Sequence, residues 1–121
     1  MNLAILPMLV EIDGVFRCHF TAISSEPEQV GIVDLTSSPK ESAFLYALYV
    51  RPEYRRQGVG SHLVFECEKL AAAWGCTSIG LTVVKNNEAV LPFYRKLGYS
   101  TFCFPDGNWN CRKDITPEEI Q

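Results

Sequence analysis

The sequence predicts an α+β domain built on a mixed, mostly antiparallel sheet of about seven strands, with one parallel crossover and two main helices. Three observations carry this reading. The first third alternates apolar and polar side chains with period two, a segment past the middle switches to the helical period, and an extended apolar run follows that helix directly.

Leu3 to Ile12 and Val15 to Ile23 read as strands, because Phe16, Cys18 and Phe20 alternate with Arg17, His19 and Thr21. Asp13-Gly14 between them is a hairpin signal, since a two-residue turn needs residues that accept positive φ. Gln29 to Leu35 and Ala43 to Val50 are further β-prone runs, separated by a loop rich in Ser, Pro and Lys, so four antiparallel strands follow in sequence. Leu63, Val64, Cys67, Leu70, Ala71 and Trp74 then fall on one helical face, with the helix ending at Gly75. A strand over Thr77 to Val84 completes a strand, helix, strand order, which implies one right-handed parallel crossover. A second helix follows Asn86-Asn87 and stops at Gly98, where a C-terminal cap belongs. Pro92 lacks an amide donor and is expected to distort its first turn. Tyr99 to Phe104 and Trp109 to Ile115 flank Pro105-Asp106-Gly107-Asn108 as a closing hairpin, and the charged tail beyond is expected to fray.

A length of 121 residues suits one domain, residues 1–121. With 47% hydrophobic and 21% charged residues the chain has the apolar content to fold on its own. Eleven basic against fourteen acidic residues give a net charge of -3, which disfavours non-specific binding to nucleic acid or an anionic membrane and mildly favours a cationic acceptor. The longest apolar run, Leu3 to Val10, has eight residues and contains Pro7, so neither a membrane span nor a signal peptide is expected and the chain reads as cytoplasmic. Five cysteines without a C-x-x-C pair favour buried, reduced thiols over disulfides or a metal site.

The densest chemical signal is the segment from Leu48, Tyr49 and Val50 through Arg51-Pro52-Glu53-Tyr54 to Arg55, Arg56, Gln57, Gly58, Val59, Gly60 and Ser61, at the join of the fourth strand and the first helix. It reads as an anion cradle. A helix start leaves amides without backbone partners and carries partial positive charge, so phosphate oxygens find several N–H donors there. Gly58 and Gly60 admit unusual dihedrals and close approach to the main chain, while Arg55 and Arg56 add positive potential. For an isolated R-x-x-G-x-G, a glycine-containing turn with solvated arginines is the better reading, and alone the motif is weak. The spacing matches neither the dinucleotide fingerprint nor a Walker loop.

Taken together, the Val30-Gly31 strand, the Leu48 to Val50 strand, the Arg55 to Gly60 loop, and Asn87 followed by Phe93-Tyr94-Arg95-Lys96-Leu97-Gly98-Tyr99 resemble the GNAT superfamily of acyl-CoA-dependent N-acetyltransferases, over roughly Gln29 to Phe104. The resemblance implies acetyl-CoA as acyl donor, coenzyme A as product, and direct attack in a ternary complex by the primary amine of an acceptor, either a small molecule or a peptide or protein. It implies that Leu48 and Val50 pair through their backbones with the pantetheine arm, that amides from Arg56 to Ser61 hold the pyrophosphate, that Asn87 bonds the pantetheine region, and that Tyr94 protonates the leaving thiolate. A phenol with an ordinary pKa near ~10 suits that last role, although a core aromatic is the plain alternative for Tyr94.

Two positions depart from the pattern. Where many relatives carry a general base this sequence has Phe44, and where others place an acid it has Thr82. Glu41, Asp34 and His19 are assigned no role, and a water chain is expected to take the proton. The tight Asp13-Gly14 turn also leaves no room for the two helices the family usually inserts there, so an open acceptor side is expected, filled by a large acceptor such as a protein or by the partner of a homodimer. A non-catalytic acyl-CoA-binding or interaction module is the alternative. A nucleic-acid-binding domain using Arg51, Arg55 and Arg56 ranks last, because no basic stripe continues elsewhere.

Overall fold

The computed structural model describes residues 2–118. Seven strands form one sheet: β1 (Leu3–Ile12), β2 (Val15–Ser24), β3 (Gln29–Ser37), β4 (Ala43–Val50), β5 (Ser78–Val83), β6 (Ser100–Cys103) and β7 (Trp109–Asp114), in the spatial order β1-β2-β3-β4-β5-β7-β6. Helix α1 (Val59–Ala73) makes the crossover between β4 and β5, the parallel pair, and the short helix α2 (Leu91–Lys96) leads from β5 into β6. The α+β expectation and its single parallel crossover are borne out.

Local chemistry accounts for the turns. Asp13 and Gly14 adopt φ 52 and 77, so β1 and β2 pair without interruption from Leu3↔Ser24 to Ile12↔Val15. Helix α1 ends where Gly75 takes φ 86, a conformation that glycine reaches without a Cβ clash. The start of the second helical segment is irregular, as expected: it opens as a 3-10 turn over Lys85–Val90 in which Asn87 leaves helical dihedrals (φ -119), and Pro92 follows in the first turn of α2, where an amide has no helical partner in any case. At the other end of the chain, the Glu118 amide donates to the Ala72 carbonyl at 2.8 Å, while the rest of the expected fraying tail, 119–121, lies outside the described residues.

Both helices pack on one face of the sheet. Cys18, Phe20 and Ala22 of β2, Val33 and Leu35 of β3, Leu45 of β4, Ile79, Leu81 and Val83 of β5 and Cys111 of β7 meet Leu63, Val64, Cys67 and Ala71 of α1 and Leu91 and Tyr94 of α2 in one core. Gly31 lets α1 approach closely: an added Cβ would lie 3.1 Å from Leu63 Cδ1, the Tyr49 carbonyl oxygen and Val59 Cγ1. Strand alternation puts the remaining side chains on the opposite face, on which no element packs among the described residues. That face carries Met8, Ile12, Phe44 and Tyr46, all exposed.

Candidate functional site: a split in the sheet beside an uncapped helix

Strands β4 and β5 pair at Ala43↔Ile79 and Phe44↔Gly80 and then separate. The cause lies within β4. Its register with β3 shifts between Ile32 and Asp34, and Ala47, in the middle of the strand, takes φ 56. The bulge turns the end of β4 away from β5 and opens a cleft of about 270 Å³. Its walls come from both faces of the sheet, with Leu45, Leu81, Val83 and Tyr94 from the core side and Tyr46 and Thr82 from the exposed side. Leu48, Asn87, Val90 and Phe93 complete it, so the cleft gathers Leu48, Asn87 and Tyr94 from the sequence-derived set. Tyr46 and Ala47 were not recognised in the sequence. Nothing local marks an alanine that will adopt positive φ.

Val50 leads into the loop. Arg55 donates its Nε to the Val50 carbonyl at 2.9 Å and its guanidinium lies over the exposed Tyr49 ring at 5.6 Å, so a ligand reaching that carbonyl shares it with Arg55. Arg56 takes φ 61 and Gly58 φ 85, which fold the chain into a tight concave turn. Gln57 donates to the Glu53 carbonyl at 3.1 Å. Gly58 is the N-cap of α1 and no side chain caps the helix, nor does its first turn contain an acid. The first amides therefore keep their donors, and the dipole at that end is not neutralised. Val59 is buried in the core and anchors the turn, while Ser61 is half-buried. Gly60 serves a purpose the sequence did not show: a Cβ there would lie 3.3 Å from Phe93 Cζ, so its absence lets α1 touch α2 beside the cleft.

Arg51 is turned to other work. It pairs with Glu28 at 2.5 Å and with Glu53 at 2.9 Å, and Glu28 also accepts from the Tyr54 hydroxyl at 2.5 Å. The Tyr54 hydroxyl and the Arg51 guanidinium hold the Glu28 carboxyl below its ordinary range. This cluster ties the β2–β3 connection to the loop that precedes α1.

Tyr94 is 7% exposed and makes edge contacts with Phe93 at 5.0 Å and Tyr99 at 5.8 Å. Tyr99 is fixed in turn by donating to Glu68 of α1 at 2.8 Å, and Lys113 donates to the same carboxylate at 3.0 Å. Burial, with Cys111 and Cys67 alongside, pushes the Tyr94 phenol up to about 12. It stays protonated at neutral pH, and it is a weaker acid than the ordinary phenol expected from the sequence, so its match to a departing thiolate is poorer than expected. Among the described residues no hydrogen bond engages its hydroxyl, which leaves the proton available to whatever fills the cleft.

Phe44 and Thr82 stand on the exposed face of β4 and β5. His19 Nδ1 and Asp34 Oδ1 pair at 2.9 Å on the same face, with Asp34 opposite Tyr46 in the β3–β4 register. Glu41 is exposed in the β3–β4 loop. None of the three lines the cleft.

The fold recurs among known structures. The PaiA N-acetyltransferase from Thermoplasma acidophilum, solved in complex with coenzyme A, superposes with a TM-score of 0.73 at 24% identity, covering 82% of this chain and 61% of that one. An acetyltransferase of the GNAT family from Staphylococcus aureus Mu50 gives 0.72 at 17% identity, covering 83% and 68%. In sequence, a bovine thialysine N-epsilon-acetyltransferase is 34% identical over 68 residues, which is 56% of this chain and 39% of that protein. The chain spans less than half the length of such curated relatives, 22% for a chloroplastic GCN5-related N-acetyltransferase from Arabidopsis thaliana. The family model described as the acetyltransferase (GNAT) family matches residues 6–99, the stretch that contains the split strands, the uncapped helix and Tyr94, and the chain belongs to that family.

Proposed function

We propose that residues 1–121 act as one N-acetyltransferase domain that transfers an acetyl group from acetyl-CoA to a primary amine, releasing coenzyme A. The observation that carries this is the cleft between β4 and β5, which reaches buried Tyr94 and opens near the uncapped start of α1. The chain's own groups suit such a ligand: amide donors at the helix start for a diphosphate, a split strand edge for an extended amide-bearing arm, and a protonated phenol at the inner end. The coenzyme A complex of the Thermoplasma relative supports the same reading.

Acetyl-CoA, when bound, supplies an activated thioester. In this reading the amides from Arg56 to Ser61 hold the diphosphate, each such charge-assisted bond contributing about 1.5–3 kcal/mol. Arg55 and Arg56 add attraction, the backbones of Leu48, Tyr49 and Val50 with the Asn87 side chain orient the pantetheine arm, and Gly58, Val59 and Gly60 keep the turn in shape. Tyr94 holds its proton at Oη for the departing sulfur. Phe44 and Thr82 offer no base, so the acceptor nitrogen loses its proton to solvent, and holding the two reactants together supplies much of the rate.

Two finer statements accompany this. A cytoplasmic setting is favoured by five free thiols, four of them buried. A homodimer would cover the β1 end of the exposed sheet face, where Met8 is 67% and Ile12 64% exposed. A strict monomer in light scattering at micromolar concentration overturns the homodimer.

The absence of a base at Phe44 and Thr82 also favours a second reading, a non-catalytic acyl-CoA-binding module. Calorimetry with coenzyme A, followed by thiol release from acetyl-CoA across a panel of amines, separates the two. Binding with amine-dependent release supports the enzyme, binding without release supports the module, and no heat with coenzyme A removes both.

A further inference from the structure

Beside the cleft, on the exposed face of the sheet, a second groove of about 270 Å³ runs between β4, β5 and β7. Gly80 is its floor, Phe44 one wall, and Asn110 and Arg112 the other, with Ser42 and Ser78 closing one end. Strand alternation explains the assembly. Phe44 pairs with Gly80 and Gly80 with Arg112, so all three share one row of the sheet, and the missing side chain at Gly80 leaves the hollow between the other two.

The polar groups of this groove are mainly donors. Arg112 brings a guanidinium and Asn110 an amide, while the Ser42 and Ser78 hydroxyls bond each other at 2.6 Å, which uses one hydroxyl hydrogen and leaves the second free. The anion near Arg112 is Asp114, 3.5 Å away and 85% exposed, a loose pair that a better-placed carboxylate displaces. Phe44, 42% exposed, offers an apolar wall to a carbon chain, and it stacks at 6.2 Å on Tyr46 at the mouth of the cleft. Phe44 to Tyr46 and Gly80 to Thr82 are each one two-residue step along a strand, so the groove lies about 7 Å from the cleft.

We infer that this groove seats a carboxylate of the acceptor, so that the preferred acceptor is a primary amine with a carboxylate about four or five carbon atoms away, a distance set by zigzag bonds of about 1.5 Å. The inference rests on the acetyl-transfer reading and names its substrate class. The amine enters the cleft past Tyr46, the carbon chain lies along Phe44, and the carboxylate meets Arg112 and Asn110. No covalent step is added: the amine nitrogen attacks the thioester carbonyl, the carbon–sulfur bond breaks, and the carboxylate is unchanged.

The test compares ε-aminocaproate with its neutral amide, which share the amine and the spacer. The wild-type protein is expected to favour the acid by about tenfold or more in kcat/KM. Arg112→Gln is expected to remove that preference by raising KM for the acid, with KM for acetyl-CoA and turnover of the amide unchanged. Gly80→Val, which fills the floor where an added Cβ meets only the Cys111 carbonyl oxygen at 3.5 Å, is expected to do the same. A binding readout stands apart from activity: ε-aminocaproate alone should shift the backbone amide resonances of Gly80 and Asn110. Equal use of acid and amide, or an equal loss on both in Arg112→Gln, overturns the groove while leaving acetyl transfer intact. Resonance shifts in a protein that shows no thiol release with any amine support the groove and remove the activity reading instead.

Discussion

Replacing Gly31 by alanine tests how the sheet positions the helix start. The added Cβ would sit 3.1 Å from three atoms: Leu63 Cδ1 and Val59 Cγ1, both buried side chains of α1, and the Tyr49 carbonyl oxygen, part of the β4 backbone. Two of these are terminal methyls, but of fully buried side chains with no open space to turn into, and the third is main chain, so relieving the strain shifts α1 or β4. Overpacking of this kind costs about 2 kcal/mol at mid-range, offset by about 0.7 kcal/mol from the stiffer unfolded chain, for a net loss of about 1.3 kcal/mol. In a chain of this length about 4 °C of melting temperature accompanies each kcal/mol, so Gly31→Ala should melt about 5 °C lower. The atoms displaced belong to the two elements that frame the proposed diphosphate site, so coenzyme A binding should weaken as well. Gly80→Ala is the control, because its Cβ meets one atom at an ordinary 3.5 Å, and its stability should change little. Thermal denaturation of both variants, with calorimetry against coenzyme A, provides the measurement. If Gly31→Ala melts with the wild type and binds coenzyme A equally well, the close approach of α1 to β3 is not what sets the site.

Tyr94→Phe should lower kcat by about a hundredfold or more while leaving KM for acetyl-CoA within about twofold, as loss of a proton donor predicts; equal loss in both constants would count against that role. Stability should fall as pH rises from the unfolded tyrosine value near ~10 toward about 12, because the folded state holds the Tyr94 proton more tightly than the unfolded chain does. Melting curves across that window should show the loss reduced in Tyr94→Phe, with Tyr99, which burial and Glu68 also push up, accounting for the remainder. Gly60→Asp should weaken coenzyme A binding by about tenfold or more, through a carboxylate at the helix start and through contact with Phe93, and calorimetry with unchanged affinity would refute it. Gly58→Ala should destabilise by about 1–2 kcal/mol, since φ 85 places a Cβ against the following carbonyl, as chemical denaturation would read.

Much of the architecture is legible in short-range pattern. Alternation of Phe16, Cys18 and Phe20, the Asp13-Gly14 turn, the helical spacing from Leu63 to Trp74 and the stop at Gly98 each depend on residues within one turn or one strand of each other, and each appears where the pattern placed it. The glycine-containing loop was equally readable, because a helix start needs no distant partner to present free amides.

What the tertiary structure alone decided concerns residues far apart in the chain. The positive φ of Ala47 is imposed by the β3–β4 register rather than by alanine, and it is what parts β4 from β5. Gly60 looks like room for a ligand until Phe93, thirty-three positions later in the sequence, is seen to fill the space. Arg51 reads as part of a basic cluster until Glu28 is brought to it by the turn between β2 and β3. The insertion of β7 between β5 and β6 creates the row from Phe44 through Gly80 to Arg112, and with it the second groove. Local sequence thus determined which segments are strands, helices and turns, because backbone propensity and side-chain period act over a few residues. Close contact between segments depends on the shapes of surfaces that exist only after the chain has packed, and it was these contacts that decided where the cleft opens and which charges remain free.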